Sequence, residues 1–404
     1  MIKNADYLHR QMFIKIHSVS INRLYGSRTR NPLTNGPMSK KNKQSLHFLT
    51  HSSRQAGDWP FYRNMQRPHV AVSVFGNSVS LQYPHRLWLY LIGWPRLFLS
   101  GVRLARNSLA ALNSDTIVTA HDHILLLAYK FARIFSLKAQ RYKLKLVLHG
   151  FIYTPRSSSI LNKLRGLYFH MLLKNVAMIV CHSKYEAPAL EKLIDRNKTL
   201  VEPIHYGIGE GDVIKEWYRD YAAKQHDDAE SPCYSIVTAG RSSRDYATLV
   251  AAVEKLPGDV ACGIVCDNIV TAPGHLNSDK VKIHRSVYGA AYTQMLIDAN
   301  VIVIPLGEGE ISAGQMVLLH ALAAAKPVII TETPTSREYV EPGNLIKLVP
   351  PDDAAAMQTA LEDIRRQLPL QFDQRLRLRQ LFEARFSDAA HSQAVFDSYQ
   401  KHLF

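Results

Sequence analysis

The stretch "VIVIPLGEGEISAGQMVLLHALAAAKPVIIT" (301–331) decides the fold. It reads as a β-branched strand, a glycine-bearing loop, one apolar helix, a tight Lys-Pro break and a second short strand. That order is a βαβ unit of a parallel sheet. Ser312, Ala313 and Gly314 stand at the mouth of the helix. Small residues there let the backbone approach a ligand closely. They also leave first-turn N–H groups, which have no partner inside the helix, pointing at a phosphate or sugar hydroxyl.

Outward from this unit the same rhythm repeats. Toward the amino terminus the strands are 45–52, 69–76, 115–121, 145–150, 177–183 and 199–207, with helices at 123–136, 158–175 and 184–195. After an acidic stretch without strand character, the rhythm restarts with strands at 233–240, 260–267 and 281–286 and helices at 243–256 and 290–299. Beyond the opening unit come strand 344–350 and helices at 352–367 and 371–386. The chain therefore divides into a basic extension (1–43), a first Rossmann-like domain (44–207), a crossing (208–232), a second such domain (233–370) and C-terminal helices (371–404) that pack back toward the first. The expected class is α/β, two doubly wound domains with a cleft between them that takes the ligand at the carboxyl ends of the strands.

Composition bounds the rest. With 404 residues and 47% hydrophobic content the chain can build two cores. The net charge of +15 hides a split: residues 1–200 hold 30 Lys+Arg against 7 Asp+Glu, and residues 201–404 hold 19 against 27. A basic half suits nucleic acid, anionic lipid or a phosphorylated substrate. The sequence carries no helix-turn-helix, ribonucleoprotein signature or zinc knuckle, which argues against nucleic acid. Cys181, Cys233, Cys262 and Cys266 lie in or beside apolar strand runs with no CxxC, so they read as buried, reduced thiols of a cytoplasmic protein. No apolar run is long enough to span a bilayer. "LWLYLIGWPRLFLSGV" (87–102), broken by Pro95 and Arg96, flanked by Arg86, Arg103 and Arg106 and carrying Trp88, Tyr90 and Trp94, suits lying at a membrane surface, or packing as an ordinary amphipathic pair. Residues 1–43 read as a basic arm, a targeting segment or, the reading favoured here, an overlong start ahead of Met38.

A second constellation lies in "AGRSSRDYATLVAAVEKL" (239–256). A strand ends at Gly240, Arg241 and Arg244 follow, and a helix begins that Ser242 or Ser243 can cap. A helix N-terminus with two guanidinium forks is a binding place for a diphosphate. In "HDHILLLAYKFARIF" (121–135), Asp122 reads as a helix cap, and His121 and His123 do not by themselves complete a metal site.

In order and spacing, "GRSSRDYATLVAAV", "VYGAAYTQMLIDANVIVIPL", "SAGQMVLLHALAAAKPVIIT" and "SREYVEPGNLIKLVPPDDAAAM" resemble the carboxyl-terminal domain of glycosyltransferase family 4, retaining enzymes of the GT-B fold. Fainter matches are "VLHGF" (147–151), "VCHSKYEA" (180–187) and "VEPIHYGIG" (201–209). The resemblance implies a nucleotide-diphosphate-sugar donor as co-substrate, no permanently bound cofactor and no required metal. Gly240, Arg241 and Arg244 then hold the diphosphate, and Ser312, Ala313, Gly314 and Gln315 hold the sugar. The family commonly has two glutamates separated by seven residues; here Ser312 and His320 occupy those places. His320 then takes the ribose, and Glu310 stands in as the missing carboxylate. His149 matches a histidine near the reacting sugar. Arg54, Gly57 and Asp58, in "THSSRQAGDWP" (50–60), match an acceptor loop.

The implied chemistry is heterolysis of a sugar–phosphate bond, with the arginines and a helix N-terminus stabilising the leaving group. The departing phosphate takes the acceptor's proton, so no glycosidase-like carboxylate pair is required. The implied acceptor is a lipid-linked or cell-envelope glycan, reached from the inner face of an anionic membrane. Competing readings are a transferase without membrane contact, an inactive pseudo-transferase and, more remotely, a nucleic-acid binder. An epimerase or phosphorylase would share the architecture, but no lysine is placed for pyridoxal phosphate.

Overall fold

The computed structural model describes residues 44–51, 59–79, 88–153, 159–224, 233–267, 278–307, 313–340, 342–343 and 345–404. The basic extension, Arg54, Gly57, Asp58, Glu310 and Ser312 lie outside the described residues. The described residues form two compact units, one of Gln44–Ile204 together with Ser392–Phe404, the other His205–His391.

In the first unit the elements run β1 (Gln44–Thr50), α1 (Pro60–Asn64), β2 (Val70–Gly76), α2 (Trp94–Ala110), β3 (Thr116–Ala120), α3 (His123–Ile134), α4 (Leu137–Gln140), β4 (Lys145–His149), α5 (Ser159–Leu173), β5 (Met178–Cys181), α6 (Ala187–Glu191) and β6 (Leu200–Pro203). The six strands are all parallel, in the order β2-β1-β3-β4-β5-β6. β3 and β5 are buried along their whole length, which is why "TIVTA" and "MIVC" lack polar alternation. One face is covered by α2, α3, α5 and α6 through Leu104, Leu125, Phe169 and Leu190. The other is covered by Phe61 and Tyr62 of α1 and by Val395, Phe396 and Tyr399 of the last helix, whose Tyr399 hydroxyl bonds Thr119 Oγ1 at 2.9 Å.

The second unit continues with α7 (Gly211–Lys224), β7 (Tyr234–Ala239), α8 (Tyr246–Glu254), β8 (Val260–Val265), β9 (Val281–His284), α9 (Gly289–Asp298), β10 (Val301–Ile304), α10 (Gln315–Ala323), β11 (Val328–Thr331), α11 (Pro334–Tyr339), β12 (Ile346–Val349), α12 (Ala354–Arg365), α13 (Phe372–Arg385) and the start of α14 (Asp388–His402). Its six strands are again parallel, in the order β12-β11-β10-β7-β8-β9. Both sheets are thus doubly wound α/β, as the spacing predicts. The strand order decides where each can bind a ligand: beyond the carboxyl ends, where the winding reverses, beside β1 and β3 in one sheet and β7 and β10 in the other.

Two sequence readings change. Part of the stretch read as a plain crossing is the helix α7, whose Ile214 enters the second core. Its aromatics also cover buried cations: the Arg375 guanidinium lies 5.6 Å from the Tyr221 ring centroid, and that of Arg379 4.5 Å from Tyr218. Of the C-terminal helices, α13 lies in the second unit and only the residues from Ser392 on in the first. Arg375 and Arg379 donate to the carbonyls of Ala325 and Ala323, at 2.9 and 2.7 Å, so two cations close the C-terminus of α10. Arg379 also pairs with Glu210. Arg379→Ala should cost about 3 kcal/mol in urea unfolding, because it strands a nearly buried carboxylate and a helix-end carbonyl together.

Candidate functional site

In the second unit the loop after β7 and the loop after β10 are stitched together at the reversal point. Asp245 N–H donates to the Pro305 carbonyl and Gly307 N–H to that of Ser243, both at 3.1 Å, around an antiparallel bridge of Arg244 with Leu306. Ser243 takes φ +50° and Gly240 φ +117° to make the turn. A Cβ at Gly240 would collide with the Arg244 guanidinium, which folds back over it. Arg244 Nε donates to the Ala239 carbonyl at 2.8 Å and an Nη to that of Ser242 at 2.9 Å. Its partners are carbonyls, and burial pulls its pKa below the ordinary guanidinium value. A half-buried cation that meets carbonyl dipoles favours an incoming anion. Arg241 is half-buried in the same loop, near Tyr288, whose hydroxyl bonds Asp267.

The expected Ser242 or Ser243 cap is replaced. The helix starts three residues later and Asp245 caps it, accepting from Thr248 N–H at 3.1 Å. Ser242 Oγ is instead a buried hydroxyl without a hydrogen-bond partner among the described residues. Such a group costs free energy unless a ligand or water satisfies it.

The mouth of α10 is built on Gly314, at φ +85°, where a Cβ would stand 2.8 Å from Ile304 Cγ2. Among the described residues no side chain caps the helix, and Gln315 Nε2 is buried without a hydrogen-bond partner. Ala313 packs on the core beside it. His320, one turn and a half into the helix, lies edge-on to Tyr292 at 5.9 Å and bonds the Met316 carbonyl through a ring nitrogen. Burial holds its pKa down to about 4, so it is neutral at pH 7.

In the first unit every central strand ends in a histidine: His51 after β1, His121 after β3, His149 closing β4 and His182 after β5. His149 Nδ1 and His121 Nδ1 are 3.2 Å apart, one donating to the other, and His121 Nε2 is 3.2 Å from the Tyr62 hydroxyl. Phe61 stacks on the His149 ring at 5.8 Å and 11°, and His182 meets it edge-on at 5.6 Å. Asp122 caps α3 as expected, through Ile124 and Leu125 N–H, and lies 3.7 Å from His51 Nε2. Among the described residues no three His, Cys, Asp or Glu are grouped to hold a metal.

Of the residues singled out from the sequence, Gly240, Arg241, Arg244, Ala313, Gly314, Gln315 and His320 fall on two adjoining loops and one helix of the second unit, and His149 stands in the first. Sequence reasoning missed Ser242 as an unsatisfied hydroxyl, and it missed Tyr62 and His182 as neighbours of His149. The recurring signal was a histidine closing each apolar strand.

His47, His320 and His391 are each held down to about 4 by burial. Unfolded, each takes its proton near about 6.5, so between those values the unfolded chain binds more protons and stability rises with pH. Asp388, pushed up to about 6 by burial, acts in the opposite sense between about 4 and 6. With three groups against one, the melting temperature should fall as pH drops from about 6.5 toward 4. His47→Gln should flatten that fall, which differential scanning fluorimetry across pH will read. Gly314→Val should lose stability outright, since it sets a branched side chain at a left-handed residue against Ile304.

Residues 235–367 match the family described as "Glycosyl transferases group 1", a stretch that contains both stitched loops and α10. No curated protein matches the sequence. Among solved structures, sucrose-phosphate synthase from Thermosynechococcus elongatus is similar at 14% identity and TM-score 0.60, covering 89% of this chain and 99% of its own. HepE of Anabaena in complex with UDP and glucose has 14% identity and TM-score 0.58, covering 89% and 100%. The trehalose-6-phosphate structure from E. coli bound with UDP-2-fluoro glucose has 13% identity and TM-score 0.59, covering 89% and 100%. With the two six-stranded parallel sheets, these likenesses give the fold as GT-B, two Rossmann-like domains in one chain.

Proposed function

We propose that the protein is a retaining glycosyltransferase that moves a sugar, a hexose or a close relative, from a nucleotide-diphosphate-sugar to a lipid-linked or cell-envelope glycan. The observation that carries this reading is the half-buried Arg244 with Arg241, the Ser242 hydroxyl and the mouth of α10, both without a side-chain partner among the described residues, gathered where the second sheet reverses and inside the stretch that matches group 1 glycosyl transferases. The likeness to proteins solved with UDP and UDP-2-fluoro glucose supports it.

In this reading Arg241, Arg244 and the first-turn N–H groups of α10 take up charge as the diphosphate leaves. Ala313, Gly314 and Gln315 line the sugar, His320 meets the ribose as a neutral imidazole, and Ser312 and Glu310 complete the loop. His149 serves the reacting sugar from the first domain, its ring fixed by Phe61 and His121, and Arg54, Gly57 and Asp58 serve the acceptor. The departing phosphate accepts the acceptor's proton, so neither a metal nor a permanent cofactor is required. The enzyme works at the inner face of the cell membrane, which suits the excess of basic residues in its first half.

One observation favours an inactive relative: His320 and Ser312 stand where the resembled family has glutamates. Thermal shift separates the two readings. UDP, GDP and ADP, free and as sugar conjugates, are each added in excess, and a nucleotide at about 100 times its dissociation constant adds about 2.7 kcal/mol. One of them should raise the melting temperature of the native protein and leave Arg241→Ala unmoved, with both melting alike when no nucleotide is present. If no nucleotide shifts the native protein, the reading fails.

A further inference from the structure

We infer that the outer faces of α2, α3 and α5 form one docking surface for an anionic lipid bilayer. The inference stands on the first domain alone, so nucleotide binding can fail or succeed independently of it.

α5 carries apolar residues on both sides. Phe169, Leu172 and Leu173 enter the core, while Ile160, Leu164, Leu167 and Met171 are 59–71% exposed. Their spacing of four, three and four residues sets them in one row along the helix. A row of this kind facing water is unfavourable unless something covers it.

The row does not stand alone. Lys130 of α3 donates to the Leu172 and Lys174 carbonyls at 2.5 Å, locking α3 to the end of α5. Ile134, Phe135 and Leu137, 64–75% exposed, extend the apolar surface at that end of α3. α2 lies along α3 through Gly101, where a Cβ would come within 2.9 Å of Ala128 Cβ, and through Phe98 against Phe131 at 5.6 Å. It adds Leu99, 65% exposed. The three helices are therefore neighbours in the first domain, each with apolar side chains in water.

The sequence pointed to 87–102 as the membrane segment. Within that stretch Leu97 and Gly101 are buried, while Trp88, Leu91, Ile92 and Leu99 are exposed, so it contributes to the same apolar surface. Further exposed apolar residues lie on α5 and at the end of α3, which periodicity alone does not separate from core.

Charge selects the occupant. Trp94–Ala110, His123–Ile134 and Ser159–Leu173 contain no Asp or Glu. Exposed Arg103, Arg106, Lys163 and Lys174 lie on or beside the three helices. A second copy joined about a two-fold axis would set basic residues against basic residues. An anionic bilayer answers both features, since its headgroups pair with the cations and its acyl boundary takes the apolar rows. Among the described residues no helix is long and apolar enough to cross a membrane, so the contact is with the surface.

The test is co-sedimentation of the full chain with phosphatidylcholine vesicles made with and without phosphatidylglycerol. The native protein should partition onto the anionic vesicles and release partly in high salt. Leu164→Glu combined with Ile134→Glu should lower that partition by at least about tenfold, with an unchanged melting temperature and unchanged nucleotide shift, since both side chains are exposed. Arg103→Gln with Lys163→Gln should weaken binding and flatten its salt dependence. Equal partition of the native and double-Glu proteins overturns the inference. So does a double-Glu protein that only converts a dimer to a monomer in light scattering, because the face would then belong to a second copy.

Discussion

The second domain depends on a short piece of antiparallel pairing at the edge of a parallel sheet. Arg244 bridges Leu306, flanked by bonds from Asp245 to Pro305 and from Gly307 to Ser243. In a parallel sheet the loops leaving β7 and β10 serve helices on opposite faces and would otherwise diverge. The pairing ties them where they separate. It fixes Gly240 and Ser243 in left-handed conformations, holds the Arg244 guanidinium against the turn and sets the direction in which α10 begins.

α10 is polarised at both ends. Its C-terminus is closed by Arg375 and Arg379 on the carbonyls of Ala325 and Ala323, under the aromatic rings of α7. Its N-terminus has no side-chain cap among the described residues. Cations at one end and uncapped N–H groups at the other favour an anion at the mouth. The buried arginines are thus part of how the site is held, through a helix that separates them from it.

The first domain uses its strand ends differently. Four histidines and Tyr62 crowd beyond β1, β3, β4 and β5, and aromatic packing from Phe61 fixes the ring of His149. Its helical side is unusual in another way, because α3 and α5 carry apolar residues toward the solvent as well as toward the sheet. Both features follow from one fact: strand ends and outer helix faces are where the core does not dictate the residue, so their composition reflects what they meet.

Much of this was legible in the sequence. Apolar runs of four to eight residues separated by helical periods gave all twelve strands, and small residues with arginines at two strand ends marked the second domain's loops. Physical reasons explain the rest. A cap depends on which residue bends the chain, so Asp245 rather than Ser242 or Ser243 closes α8. An acidic stretch conceals a helix when its partners, Arg375 and Arg379, lie more than 150 residues away. Apolar character says that a residue avoids water and not which neighbour it finds, so Leu97 and Leu164 look alike until α3 covers one and the other is left mostly exposed. The sequence by itself determined the parallel α/β class, the residues at the strand ends and the charge of each half, because these follow from local periodicity and composition. Only the tertiary structure decided which strand ends meet, which polar atoms are left unsatisfied and which apolar faces stay in water, because each depends on contacts between residues far apart in the chain.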